Sequence, residues 1–474
     1  MGVRLWPLLP WCGPLLLIGC ATGQLPPQVD AQAPSSWREA WPDAPLPHQG
    51  EPARLQEWWR GYGDAALTQL IDAAQRNSPS LAAARTRMAQ AGADHATAWA
   101  ALRPRLDGQV AVVRESVHET GRRRTDLAST AQLGLQASWD LDLAGGQRAA
   151  RHAAMLRAAG ATRGWHAARV AVAAETAQYY FALRHCRRQN DLMRQEAAAQ
   201  RRVEALSAAM AQAGMEAALG HAQESARSAQ SDLQVADLGA RCKAEIKSLT
   251  ALTGVDETEL HVWLDEAGEL PDPDAGAFRL QALPAQLLRQ RPDVLAAESD
   301  VAAASAEFDQ VQRSRYPRLT LRGTIGVAKS RAGDSGAGTF TTWNLGPLAL
   351  DVPLYDGGAH GAAVEASQAR YAEAVSHYRA SVRKAVADVE TALLELNAGA
   401  ERSRALQALL RSRDTELRSA RAAYRAGLAS EAQWRQAQRS WLAGRIEEGE
   451  RRHQRRMAWL ALYRAVGGGW QAAG

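Results

Sequence analysis

The chain has 474 residues, of which 46% are hydrophobic and 23% charged, with a formal net charge of +5. Length alone suggests about three domains, yet much of the apolar fraction is alanine, with only 4 Phe and 9 Tyr. Large side chains supply most of a thick core, so this composition argues against one and for long helices that approach closely. The 56 basic and 51 acidic residues are interspersed, with no basic stripe or aromatic platform, so nucleic acid is not an expected partner.

Residues 1–20 read MGVRLWPLLPWCGPLLLIGC. Arg4 precedes an apolar stretch too short and too proline-rich to persist as a spanning helix, so 1–19 is expected to be a signal peptide. The ending Leu17-Ile18-Gly19-Cys20 resembles a bacterial lipoprotein signal. On that reading Cys20 carries a covalent diacylglycerol and palmitate anchor, each buried methylene contributing roughly 0.8 kcal/mol. Residues 20–60, rich in Pro, Gln and Ala, read as a lipidated tether.

From there the chain repeats itself at a spacing of 213. Pro79 matches Pro292, Pro104 matches Pro317, and Gly214 in QAGMEA matches Gly427 in RAGLAS. Gly145-Gly146 matches Gly357-Gly358 with a slip of one. Two tandem units are expected, 61–270 and 271–470. Each opens with a helix, Asp64 to Ala101 or Pro284 to Ser314, which a proline stops. A hairpin of alternating runs follows, at about 106–143 and 319–353, around the polar turns HETGRRRTD and KSRAGDSGAG. About sixty helical residues then lead to a glycine tip near 214 or 427, and a helix returns. Leu192, Ala199, Val203, Leu206 and Met210 form a coiled-coil seam. Narrow seams with wide polar faces predict a wall one helix thick rather than a conventional four-helix core.

Four strands per chain cannot close. An open sheet leaves two unpaired edges, which hydrocarbon does not tolerate, and the smallest membrane barrels use about eight strands. Membrane strands would therefore have to be pooled among chains; the alternative is two exposed hairpins lying on the helices. The runs approach membrane-crossing length, and Trp139 and Trp343 are expected at the interfaces.

These residues resemble the TolC-like outer-membrane factors, in particular the NodT-type lipoproteins of resistance-nodulation-division (RND) efflux systems. The likeness runs through EWWRGYGDAALTQLIDAAQRNSP, LRPRL, SWDLDLAGG, PLYDGG, YRAGLAS and LYRAVGGGW. It implies a mainly helical chain with membrane β, forming a homotrimer: a 12-stranded outer-membrane barrel continuous with a 12-helix periplasmic α-barrel. The tip would dock a periplasmic adaptor (membrane fusion protein) and an inner-membrane RND pump, with outer-membrane lipid around the barrel. At the tip, Tyr424 matches the family's tyrosine, but Gln433 and Gln436 stand where two aspartates are common. A glutamine ring would lack the field that selects cations. Gate residues are thus Gly214, Tyr424, Gly427, Gln433 and Gln436.

Cys186 and Cys242 each lie 28 residues from Gly214 on opposite arms of one helical hairpin. Equal antiparallel arms bring them level, so a disulfide is expected in an oxidising periplasm. No zinc-protease, phosphate-loop or paired-cysteine motif occurs, GDSG at 333–336 falls in a turn, and the 11 histidines lack ligand spacing. Neither an enzyme nor a metal site is expected. The expected function is a passive export conduit; a type I secretion channel and a periplasmic coiled-coil adaptor or structural lipoprotein are the alternatives.

Overall fold

The computed structural model describes residues 24–34, 37–39, 59, 62–118, 125–270, 288, 291–332 and 335–468. The signal peptide, Cys20 and most of the tether lie outside the described residues. Two helices open the fold, α1 (Ala65–Asn77) and α2 (Pro79–Ala100), where one was expected. Ser78 separates them with an extended ψ of 121°, because the ring of Pro79 crowds the residue before it out of the helical region. Strands β1 (Arg105–His118) and β2 (Thr125–Leu141) precede α3 (Gly146–Gln212), α4 (Ala218–Thr253) and α5 (Glu257–Glu266). The second half carries α6 (Pro292–Arg313), β3 (Arg318–Ala332), β4 (Ser335–Asp351), α7 (Ala359–Arg425) and α8 (Glu431–Ala465). The starts of α2/α6, β1/β3, α3/α7 and α4/α8 are all 213 apart (292−79, 318−105, 359−146, 431−218). The strands run further into the polar turns than expected, since ladder hydrogen bonds need no apolar side chain. Helix α6 begins at Pro292; the expected start at Pro284 lies outside the described residues.

The chain divides into two compact units. One comprises the strands with residues 24–29, Gly92–Arg157 and Asp300–Val375. Its four strands form one antiparallel sheet in the order β1-β2-β3-β4, so the two repeats join where β2 pairs with β3. Segment 24–29 is tied on by Ser305, whose hydroxyl donates to the Leu25 carbonyl (2.6 Å), and by Tyr371, which donates to the Pro26 carbonyl (2.8 Å).

The other unit is helical and holds one buried cluster larger than the composition suggested. Tyr180 and Phe181 of α3, Trp459 and Tyr463 of α8, Leu393 and Leu396 of α7, Leu67 and Leu70 of α1 and Leu260 of α5 share one buried cluster. Trp59, Tyr180, Phe181, Trp459 and Tyr463 gather there and, with the leucines, fill a core. Several of its polar atoms are hydrogen-bonded. Asp64 caps α1 by accepting from the Leu67 N–H (3.1 Å) and also accepts from the Tyr180 hydroxyl (2.6 Å). Trp59 Nε1 donates to the Tyr463 hydroxyl (3.1 Å), with the rings edge to face at 4.8 Å. Burial pushes the Tyr463 phenol up to about 12.

The predicted seam also shifts. On α3 Ala197, Ala199, Gln200 and Ser207 are buried, while Leu192, Val203 and Leu206 are only half-buried and Met210 is exposed. Small and polar residues make the contacts within the chain because they let helices approach closely; most of the larger apolar seam stays partly open.

Candidate functional site

The sheet has two chemically opposite faces. Directly paired residues share a face, so the registers place Leu106, Val110 and Val112 with Leu133, Leu135, Ala137 and Trp139. The same face continues through Leu319, Leu321, Ile325 and Val327 to Trp343, Leu345, Leu348 and Leu350. Most of these side chains are exposed, Val110 by 76%, Trp343 by 74% and Leu345 by 78%, while Leu319 and Leu321 are half-buried. Exposed apolar surface on this scale marks a site that meets lipid or protein. The opposite face carries Gln109, Gln132, Gln136, Ser138, Thr324, Thr342 and Asn344. A register shift beside Leu321 accommodates Gly346-Pro347 on the outer strand β4, where a residue without an N–H is tolerated. Trp139 pairs with Leu321 toward the helix-junction end of the apolar band, and Trp343, paired with Ile325, is the last apolar residue of β4 on this face before Thr341.

Acidic residues seat the strand-to-helix junctions, a role not read from sequence. Asp142 accepts from the N–H groups of Gln147 (3.1 Å) and Arg148 (2.9 Å) at the start of α3. Asp356 does the same for Gly358 (2.9 Å) and His360 (2.7 Å) before α7. Those backbone donors hold the Asp356 carboxyl below its usual range. The signal was present as an aspartate three residues before Gly145 and one before Gly357.

Both expected tips are real turns of one kind. Gly214 and Gly427 are left-handed, with φ of 73° and 71°. Met215 N–H reaches back to the Met210 carbonyl (2.9 Å), and Leu428 N–H to that of Ala423 (2.8 Å), the bond pattern that closes a helix on a glycine. The residues after the glycines, Met215 and Leu428, are 71% and 83% exposed. Gln433 is engaged locally: its N–H donates to the Ser430 hydroxyl (3.2 Å) and its side-chain oxygen accepts from the Ser430 N–H (3.0 Å), capping α8. Gln436 accepts from Arg439 (3.3 Å). Tyr424 stacks on Trp434 at 5.2 Å, and the Arg435 guanidinium lies 4.0 Å over the Trp434 ring.

Helices α3 and α8 are cross-linked by rungs that no short motif announces. Arg202 grips both oxygens of Glu431 at 2.9 Å, Arg439 binds Glu196 at 2.8 Å, and His185 binds Glu450 at 3.0 Å. The positions run in opposite directions along the two helices, as antiparallel packing requires. Hydrogen bonds from Arg202 hold Glu431 below the usual carboxylate range. His453 stacks on His185 at 4.5 Å, and burial, with His185 alongside, brings it down to about 4. Lower on the first hairpin Cys186 and Cys242 are disulfide-bonded, with Cα atoms 5.5 Å apart beside Leu238 and Met193. Among the described residues no helix is long and apolar enough to cross a membrane. None of their His, Cys, Asp and Glu clusters could hold a metal ion. Cys20 lies outside them.

Comparison with known proteins agrees with this arrangement. The model of the outer membrane efflux protein family matches twice, at residues 70–255 and 283–468, again 213 apart. The chain is 28% identical to the pyoverdine export outer membrane protein OpmQ of Pseudomonas aeruginosa, over 97% of this chain and 96% of that one. It is 28% identical to outer membrane protein OprJ of the same organism, over 91% and 90%. A crystal structure of a membrane protein from Pseudomonas aeruginosa superposes with a TM-score of 0.78 at 26% identity, covering 94% of this chain and 97% of that one. The chain belongs to the outer membrane efflux protein family and is an outer-membrane channel component of a tripartite efflux system.

Proposed function

We propose that three copies of this chain pool four strands each into one closed barrel, continuous with a helical passage, and so form the passive export conduit of an RND-type system. The observation that carries this reading is the open sheet, with an unpaired edge at β1 and at β4 and one exposed apolar face. In hydrocarbon every backbone group needs a partner, so the outer edge of β4 would pair with β1 of a neighbour until the ring closes. The apolar band spans Ala131–Leu141 on β2 and Leu319–Val327 on β3, close to the roughly 9–11 residues of a tilted membrane strand. On this reading the apolar face meets outer-membrane lipid and the polar face lines the passage. The half-buried residues Leu192, Val203 and Leu206 then have a neighbouring protomer to pack against. The exposed Met215 and Leu428 at the two tips suit docking of a periplasmic adaptor, which would link the conduit to an inner-membrane pump. Diacylation at Cys20 would add a second attachment to the membrane.

The test is mobility of the unheated mature protein on denaturing gels together with single-channel recording in planar bilayers. A heat-sensitive trimer that conducts supports the conduit. A soluble, stable monomer that never inserts overturns it and favours a periplasmic structural lipoprotein.

A further inference from the structure

We infer that the middle of the polar sheet face is a charge-neutral, hydrogen-bonding section of the export path that passes solutes without sorting them by sign. This inference rests on the conduit reading, which makes that face the lining. Its basis is the register. One row crosses all four strands as Gln109, Gly134, Gly326 and Thr342. The row on one side is Ala111, Gln132, Ala328 and Phe340; on the other it is Asp107, Gln136, Thr324 and Asn344.

From the row Gln109, Gly134, Gly326 and Thr342 to the row Val113, Thr130, Ser330 and Gly338 this face contains no ionisable residue, and the next row toward the helices begins with Asp107. Its charges lie beyond both ends of that section. Nearest the helix junctions are Arg105, Asp107, Asp140, Arg318, Arg322 and Asp351, three bases and three acids, with Arg105 paired to Asp107 at 2.9 Å. Toward the turns the register continues to Glu115 and Asp126. Within the section itself no band of one sign forms, so no local field favours one sign of ion there.

The centre is also indented. Gly134 and Gly326 floor a cavity of about 230 Å³ rimmed by Gln109, Gln132, Gln136, Thr324 and Thr342. Amides and hydroxyls donate and accept equally well. The class of solute that suits such a surface is polar and rich in hydroxyl or amide groups, whether neutral, zwitterionic or singly charged.

Single cysteines at Gln132→Cys and Gln109→Cys, in the full mature chain held open in a planar bilayer, test this directly. The probes are water-soluble methanethiosulfonates bearing a sulfonate or a trimethylammonium group. Cys186 and Cys242 are bonded to each other and do not compete for the reagent. We expect both probes to react and to reduce conductance, at rates that agree within about threefold once corrected for intrinsic reactivity. We also expect Gln132→Glu to shift the reversal potential toward cations. A tenfold or larger bias (on the order of a full local charge) toward one probe at both sites would overturn the inference, as would a conducting channel whose cysteines react with neither. Failure of the unmodified protein to conduct would instead overturn the conduit reading.

Discussion

Gly134 and Gly326 face each other across the seam that joins the two repeats. A first side-chain carbon on Gly326 would lie 2.8 Å from the Leu133 carbonyl oxygen and 3.0 Å from the Gly134 Cα. Both obstacles are backbone, which cannot swing aside as a side chain can. Gly326→Val is therefore expected to push β2 and β3 apart and to destabilise the sheet by about 1–3 kcal/mol. The check is the thermal midpoint of the protein in detergent. Gly108→Val, at a glycine with open space around it, should leave that midpoint nearly unchanged.

The stacked pair His185 and His453 predicts an acid-sensitive helical unit. Burial holds His453 at about 4 against an ordinary 6.5. Between those values the unfolded chain binds a proton that the folded chain refuses, so stability falls as pH drops from 6.5 toward 4. Above 6.5 this group contributes no pH dependence. The facing groups are His185, itself lowered by burial, Glu450, which opposes the shift, and Arg456, which reinforces it. The expected loss is on the order of 3 kcal/mol at pH 4. His453→Phe, which keeps the ring but not the titration, should flatten thermal midpoints measured across this range.

The two tips are capped unequally, and that asymmetry is measurable. Ser430 and Gln433 cap α8 reciprocally, whereas Ala217 begins α4 with no side-chain hydrogen bond. Ser430→Ala should cost about 1 kcal/mol and Ala217→Ser should add up to a similar amount. Hydrogen exchange of the first-turn amides of α8 and α4 reads the two changes separately.

Cys186 and Cys242 close a loop of sequence separation 56 around the first tip. Restricting the unfolded chain in this way is expected to contribute about 2–4 kcal/mol. The double variant Cys186→Ser with Cys242→Ser should therefore lower the midpoint of guanidinium unfolding. A reductant should lower it for the unmodified protein and leave the variant unmoved.

Much of this was readable before any coordinates. Pro79 and Pro292, Pro104 and Pro317, and Gly214 and Gly427 mark real boundaries, since proline and glycine act through the backbone of a few adjacent residues. The break at Ser78 was overlooked because the apolar pattern runs straight across it. The side chain of Gln433 is engaged by Ser430 three positions earlier, a capping contact additional to the tip position that the sequence indicates. The core around Tyr180 and Tyr463 was missed because total aromatic content says nothing about how closely those residues gather.

By itself, the sequence determined the doubled plan, the order of helices and strands and the places where each element stops, because these follow from local sterics and short periodicities. Only the tertiary structure decided that β2 pairs with β3, which face of each strand is apolar, and that Arg202 meets Glu431 across 229 residues. Those outcomes depend on register and approach between distant segments, and a slip of one residue in pairing would have exchanged the two faces of the sheet.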